Sequence, residues 1–594
     1  MDKEHIYEPL KTYKNVLAPK HEENVNAYFN ELVEKSGVDI GANKSTIKKL
    51  RKADSQFRDI KKTIANFNLL KIFMIVVAII LFIMPFIHYN STTFEFRGLN
   101  ILIVILEILV GVLLLFLVFS KVSPKIKKLK ADKAVLRDEI TKLTEEARIQ
   151  MEPLNALFKE GMALELFKKT LPLINFDSYF NSARLDYLVS KFGLNDVPSL
   201  NRSTLFVKSG DLNGNPFYIA NDLVHELGTK TYTGSITISY TVYTTVNGKR
   251  TASRRTQVLT ASVTKPYPYY TEQSYLIYGN EAAPDLIFQR EDSDAENMEQ
   301  KAIDRMVKRE SRRLRRKQRK ATKKGDTFTT LGHSEFEVLF GATNRNNEVQ
   351  FRLLFTPLAQ KQLLDLMKDK TIGYGDNFDF DKYGKINIIY PEHLNMIDLD
   401  VKPSYFYDID FENVKEKFLS YNKNYFKSIY FAFAPILSIP LYQQHKPHEY
   451  IYKDLYDSYA SFYEHESILN RLGEEKFKHP DSQTKNILKA KTIKSANNTD
   501  QVLVTAYGYE TKQHVDFIPK LGGDGRMHTV PVHWTEYIPV SETTTVDINV
   551  IEEEKNLNYR DHLESFVKRL KSGNDIKEED LIIINRFITY INKK

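Results

Sequence analysis

His445, His448 and His465 fall within 21 residues of one another, with Glu449, Glu464 and Glu466 nearby. Imidazole nitrogens and carboxylates of this kind are a ligand set for zinc or a similar divalent ion. His445 and His448 would share a helix face only if no turn intervened, and Pro447 sets one between them. His528 and His533, five apart in a strand-like run, face opposite sides of a regular strand. Asp376, Asp379 and Asp381 lack the one-three-five-glycine spacing of a calcium loop and read as a turn with Asx caps. No metal site is expected.

The chain has no cysteine, which removes disulfide scaffolds, thiol nucleophiles, thiolate zinc sites and iron-sulfur clusters. It carries no Gly-x-x-x-x-Gly-Lys-Ser/Thr loop, no Gly-x-Gly-x-x-Gly, no His-Glu-x-x-His and no Gly-x-Ser-x-Gly. No catalytic residue and no cofactor follow from these motifs, and an enzyme is the less favoured reading.

The formal net charge is +8, with 84 Lys plus Arg against 76 Asp plus Glu. Lys301 to Lys324 alone holds 13 basic and 2 acidic residues, leaving 71 basic against 74 acidic elsewhere. An anionic partner must therefore be met by that segment or by the flanks of the apolar runs below. Its centre carries Arg312, Arg313, Arg315, Arg316, Lys317, Arg319 and Lys320, an anion-binding set for lipid headgroups or nucleic-acid phosphates. The aromatic interleaving of single-strand binders is missing. On a helix these charges would cover every face and leave no apolar stripe for docking, so the segment is expected to be solvated or to hold a polyanion. The acidic stretch Glu291, Asp292, Asp294, Glu296 and Glu299 precedes it and would neutralise part of its charge.

Two uncharged-to-nearly-uncharged runs, Ile72 to Tyr89 and Ile101 to Phe119, approach the ~20 residues that cross a hydrocarbon core. The first begins too far into the chain, behind too much charge, for a cleavable signal peptide. The intervening loop holds one basic residue, Arg97, whereas Lys44 to Lys71 holds nine and Lys121 to Arg137 seven. Positive-inside bias places both termini in the cytoplasm. Glu107 lies within the second run, where burying its charge costs several kcal/mol; it is read as a tolerated residue or an oligomer contact, with a proton or ion role less favoured.

These residues need elements to hold them. After the second run, Ile126, Leu129, Lys133, Leu136, Ile140, Leu143 and Ala147 alternate steps of three and four, the seam of a coiled coil with one polar interruption. Before the first run, Ile47, Leu50, Phe57, Ile60, Ile64 and Phe67 follow a similar period. Both stripes predict an antiparallel helical stalk. From Thr204 the period changes to two, and Thr231 to Val246, Asn247-Gly248 and Arg255 to Val263 read as a hairpin. Further strands are expected at Tyr275 to Tyr278, Leu286 to Gln289, Glu335 to Phe340, Val349 to Phe355 and Ile386 to Tyr390, with a helix over Pro357 to Lys368. Phe426 to Tyr442, which holds Pro435 and Pro440, is expected to be a buried linker or interfacial segment. A second sheet region is expected over Gln501 to Glu552, then helices at Tyr559 to Leu570 and Glu578 to Asn592.

The fold class is therefore α+β, with antiparallel sheets. The expected order is an N-terminal helical segment and stalk helix over 1–70, a membrane hairpin over 71–120 (spans 72–89 and 101–119) and a second stalk helix over 121–150. An α+β domain over 151–425 with a basic helical insertion at 291–325 follows, then a second α+β domain over 426–594. This order points to a multi-pass protein of the cell membrane, a scaffold or adaptor whose cytosolic domains meet an unidentified protein partner or a second copy of the chain. Its basic helix would contact anionic lipid or another polyanion. The alternatives are a membrane-tethered enzyme with a site between the sheet domains and a transport or channel component. The hairpin-then-sheet order contains no motif specific enough to assign a family.

Overall fold

The computed structural model describes residues 5–90, 99–195, 199–246, 249–325, 327–446, 455–551, 559–571, 581–584 and 586–592. Its elements are helices and antiparallel sheets, and the chain divides into two compact units. One comprises Val25–Glu160 and Val401–Tyr421; the other comprises Met1–Asn24, Gly161–Asp400 and Asn422–Lys594.

The chain opens with a short turn of helix, α1 (Pro9–Thr12), then α2 (Ala18–Ser36), α3 (Ile40–Asn90), α4 (Leu99–Leu117) and α5 (Ser123–Asn155). A π-helical turn, Val118–Val122, links α4 to α5. Within the first unit α3 and α5 pack antiparallel along the stripes that the sequence marks. Thr46 donates to Glu146 at 3.1 Å, Lys133 lies 5.3 Å above the Phe57 ring and Lys125 lies 4.5 Å above that of Phe67. Lys133, the polar interruption in the seam, is thus accommodated by a cation–π contact and its aliphatic stem. Farther along, a Cβ on Gly111 of α4 would come within 3.1 Å of the Phe82 ring, so glycine lets the two helices approach there. At the opposite end Phe29 packs on Phe411 and Phe418, and Asn43 donates to the Ile409 carbonyl at 2.9 Å while accepting the Phe411 N–H at 3.1 Å.

Among the described residues two helices are long and apolar enough to cross a membrane. Only 6% of the apolar window in one and 11% in the other is buried. Phe73, Phe86, Leu102, Leu106 and Phe116 are all exposed. A core helix of a soluble domain would bury such a face.

The second unit begins with α6 (Met162–Thr170), β1 (Ile174–Phe176) and α7 (Ser182–Phe192). Asn181 caps the N-terminus of α7, and Gly193, at positive φ, ends it. Then come β2 (Arg202–Leu212), β3 (Asn215–Val246), β4 (Lys249–Gly279) and β5 (Ile287–Arg290). Four helices precede the return to sheet: α8 (Gln300–Lys324), α9 (Ser334–Phe340), α10 (Glu348–Leu354) and α11 (Pro357–Lys368). With β6 (Phe378–Tyr383) and β7 (Ile386–Pro391), the strands form a seven-stranded antiparallel sheet ordered β1-β2-β3-β4-β7-β6-β5. After α12 (Phe411–Leu437) and α13 (Phe462–Leu472), β8 (Ile487–Ala496), β9 (Thr499–Leu521) and β10 (Met527–Val550) begin a second sheet. Helix α14 (Tyr559–Lys571) precedes β11 (Leu581–Ile584) and β12 (Phe587–Asn592), and the order is β11-β12-β10-β9-β8.

The β3–β4 pair runs from Phe217 opposite Tyr278 to Val246 opposite Lys249, roughly 100 Å at ~3.4 Å per residue. The Asn247-Gly248 turn lies outside the described residues. Beyond the sheet this ribbon packs face to face on the β9–β10 ribbon through Leu259, Ala261, Val530 and Val532. Lys265 pairs with Asp516 at 2.9 Å, and Asp516 also accepts the Trp534 indole N–H at 2.8 Å. Gly234 meets the Pro531 carbonyl where a Cβ would stand, so any side chain there would separate the ribbons.

Three expectations are corrected. Glu335 to Phe340 and Val349 to Phe355 are helices α9 and α10, not strands. Their aromatic side chains, Phe336 with Phe340 and Phe351 with Phe355, meet at the i, i+4 spacing of a helix, and His333 and Asn347 cap the N-termini. The described part of Glu578 to Asn592 is the strand pair β11–β12, with β12 paired to β10. Its runs of isoleucine lose less χ1 freedom on a pleated surface than in a helix. Phe426 to Tyr442 is buried as expected, but it is the end of helix α12 followed by a short 3-10 turn and not a linker, with Phe433, Ile436 and Leu437 fully enclosed.

Candidate functional site

The basic segment is helix α8, and one expectation about it fails. It does have an apolar stripe: Ile303, Leu314 and Ala321 are buried, and Leu314 and Ala321 pack with Phe328 and Val338, with Met306 and Val307 against them. Three buried side chains over about five turns suffice, because α9 and Phe328 supply the rest of the surface. The seven central basic residues are all exposed. Glu310 pairs with Arg309 and Arg313, and Lys317 donates to the Thr343 carbonyl at 2.5 Å while lying 4.6 Å above the Phe328 ring. Among the described residues Arg312, Arg315, Arg316, Arg319 and Lys320 have no carboxylate partner. In the preceding acidic stretch Glu296 accepts the Asp376 N–H and Asp294 the Asn297 amide.

The histidine and carboxylate candidates disperse. His448 and Glu449 lie outside the described residues, and His445 is exposed. In α13 the three adjacent side chains find three separate partners. Glu464 accepts the Phe180 N–H at 2.9 Å, His465 Nε2 is 3.0 Å from Asp500 Oδ2, and Glu466 faces Lys489. His528 pairs with Asp524, while His533 is exposed on the other face. No group of three metal-ligating side chains forms among the described residues. The expected Asx-capped turn does not form at Asp379 and Asp381, which lie in strand β6, Asp379 accepting the N–H of the distant Asp292 at 3.0 Å, and Asp376 is buried and paired with Arg290. Glu107 is half-buried on α4.

What the structure does assemble is a cavity of about 450 Å³ in the second unit, walled by β2, β3, β4 and β7 on one side and by α13 and Lys489 of β8 on the other. Its floor is polar. A bulge in β2 between Thr204 and Phe206 frees the Thr204 N–H to donate to Glu466 Oε2 at 3.0 Å, and the Leu205 carbonyl accepts Ser467 at 3.3 Å. Glu466 Oε1 is 2.5 Å from Lys489 Nζ, which also donates to the Arg202 carbonyl at 3.0 Å. Across the cavity Tyr275 donates to Asp222 Oδ2 at 3.0 Å, with Arg202 Nη1 4.0 Å from the same oxygen. Tyr218 and Tyr463 complete the wall with rings 5.2 Å apart. Burial raises the Glu466 carboxyl to about 7 against the pull of Lys489, and burial raises Asp222 as well.

Comparison with protein-family models, with curated proteins and with solved structures yields no match. The site therefore rests on its own geometry.

Sequence reasoning placed Glu466 among metal candidates and missed Asp222, Lys489 and Arg202. One signal was available: Asn221 and Asp222 interrupt an otherwise apolar buried strand, Phe217 to Val224, where an acid must have a partner.

A second buried ionisable group stands apart. Lys382 donates to the Ala282 carbonyl at 3.1 Å and to Asn387 at 3.4 Å, and among the described residues no carboxylate faces it. Burial lowers its pKa to about 7. Between pH 7 and 10.5 the unfolded chain holds a proton that the folded one has released, so stability rises with pH across that window and is lowest below it. Lys382→Met is expected to stabilise the protein at pH 7 by on the order of 2 kcal/mol and to flatten the pH profile, measured as denaturation midpoints from pH 6 to 10.

Proposed function

We propose that this chain is a membrane-anchored, non-enzymatic scaffold or adaptor. The apolar lengths of α3 and α4 cross the bilayer as a hairpin, both termini are cytoplasmic, and the antiparallel α3–α5 pair continues below the membrane as a coiled-coil stalk. Helix α8 contacts an anionic lipid surface, and the sheets serve as the partner-binding body. The observation that carries the reading is how little of either apolar window is buried, an apolar surface that a soluble fold would not leave in water. The bias of basic residues toward the outer flanks of the hairpin supports the orientation.

Protease accessibility of a C-terminal epitope tests it. Protection in spheroplasts and digestion after lysis are the expected results. Digestion in intact spheroplasts would reverse the topology, and release of the protein by alkaline extraction would remove the membrane span.

A further inference from the structure

The cavity between the seven-stranded sheet and α13 has no role in the scaffold reading, and its inventory of hydrogen bonds says what it lacks. Asp222 is 3% exposed and lines the cavity. Its Oδ2 accepts the Tyr275 hydroxyl, while its Oδ1 receives no hydrogen bond of normal geometry, although the Thr204 hydroxyl lies close enough to help hold the carboxylate. A buried carboxylate oxygen without a good donor is costly to leave unfilled.

The two cations of the cavity cannot fill it equally. Lys489 is committed to Glu466 and to the Arg202 carbonyl. The Arg202 side chain is 38% exposed, at the rim, and approaches Asp222 no closer than 4.0 Å. It screens the charge from outside without forming a bidentate pair. The walls around Asp222 are aromatic. Tyr218 packs edge-on against Tyr275 at 6.0 Å and lies against Tyr463 at 5.2 Å, so a positive group entering here meets π-faces and a buried carboxylate together.

We propose that this cavity binds a small organic amine, its primary ammonium group donating to Asp222 and lying against the tyrosine rings, and that Arg202 is a placeholder which the ammonium displaces. The chemistry excludes the other classes. A carboxylate or phosphate ligand would bring its charge against Asp222 and Glu466 while the nearest lysine is already paired. An apolar ligand would leave Oδ1 without a donor. A volume of about 450 Å³ suits a molecule of drug-like or metabolite size and is too small for a folded peptide. The inference concerns one unit only and is independent of the membrane reading.

The test is calorimetric titration of the full-length protein in neutral detergent with phenethylamine and with putrescine, against their neutral counterparts phenethyl alcohol and 1,4-butanediol. Saturable binding of at least one amine and none of the alcohols is expected. Asp222→Asn should weaken that amine by about 100-fold, the range seen when one member of a buried charge pair is removed. Arg202→Gln, at the rim and therefore tolerated by the fold, should tighten it severalfold by removing the competitor. No saturable amine binding, or equal binding of the alcohols, overturns the assignment. Arg202→Gln weakening the amine overturns the placeholder role even if Asp222→Asn fails to fold.

Discussion

Replacing Arg290 with leucine is expected to destabilise the second unit by about 3–5 kcal/mol, the range for removing one member of a buried ion pair. Arg290 and Asp376 both have fully buried side chains. The guanidinium contacts Asp376 Oδ1 through Nη2 and the Phe378 carbonyl through Nη1, and Nε reaches the Phe340 carbonyl at 3.3 Å. Its flat face lies 4.4 Å above the Phe378 ring. Asp376 uses its other oxygen to accept both the N–H and the hydroxyl of Ser293, at 2.8 and 2.5 Å. One pair thus joins the end of β5, the turn before β6, the end of α9 and the segment that leads into α8. Leucine keeps the volume but leaves a carboxylate in a closed space with only Ser293 to answer it. The double variant Arg290→Leu with Asp376→Leu should recover most of the loss, because the shape is filled and no charge remains. Urea denaturation of the four members of that cycle measures the coupling directly. A single-variant loss below about 1 kcal/mol would show that water reaches the pair in solution.

The stripes of α3 and α5 were legible because their apolar residues repeat in one helical frame, and no residue outside the pair is needed to explain them. Helix α8 was misread for the opposite reason. Its stripe is sparse, only Ile303, Leu314 and Ala321 among thirteen cations, and its complement, Phe328 and Val338, lies on segments that local periodicity does not connect to it. Arg345 shows the same limit. It pairs with Glu337 at 2.9 Å and Glu348 at 2.7 Å in a buried cluster, yet in the sequence these are three ordinary charges, one inside an expected strand and two outside it, with nothing to mark them as partners. The Asp222 and Glu466 cavity walls are more than two hundred residues apart and meet only when α13 docks on β2. Periodicity reports which face of an element is buried; it carries no information about what buries it.

Neutralising Arg312, Arg313, Arg315, Arg316, Lys317, Arg319 and Lys320 to glutamine is expected to lower the affinity of the full-length protein, held in neutral-lipid nanodiscs, for phosphatidylserine vesicles by more than about 100-fold at low salt. Each surface charge near an anionic leaflet contributes about 1 kcal/mol. If half of the seven face the surface at once, about 3 to 4 kcal/mol is at stake, which gives that factor. The stripe of Ile303, Leu314 and Ala321 fixes which arc of α8 is turned inward, so the remaining charges face outward whether or not a surface is present. The fold should hardly notice the change, with one exception. Lys317 covers Phe328 and donates to the Thr343 carbonyl, so a six-residue variant that retains Lys317 separates loss of charge from loss of docking. The salt dependence of binding must flatten in step with the charges removed, since exposed charges are screened within ~10 Å at 0.1 M salt. Unchanged vesicle binding by a variant of unchanged stability would remove lipid from the proposal. Binding by the parent protein that inorganic polyphosphate competes away, without a preference for vesicles, would reassign the helix to soluble polyanions, because phosphate chemistry alone would then account for its seven charges.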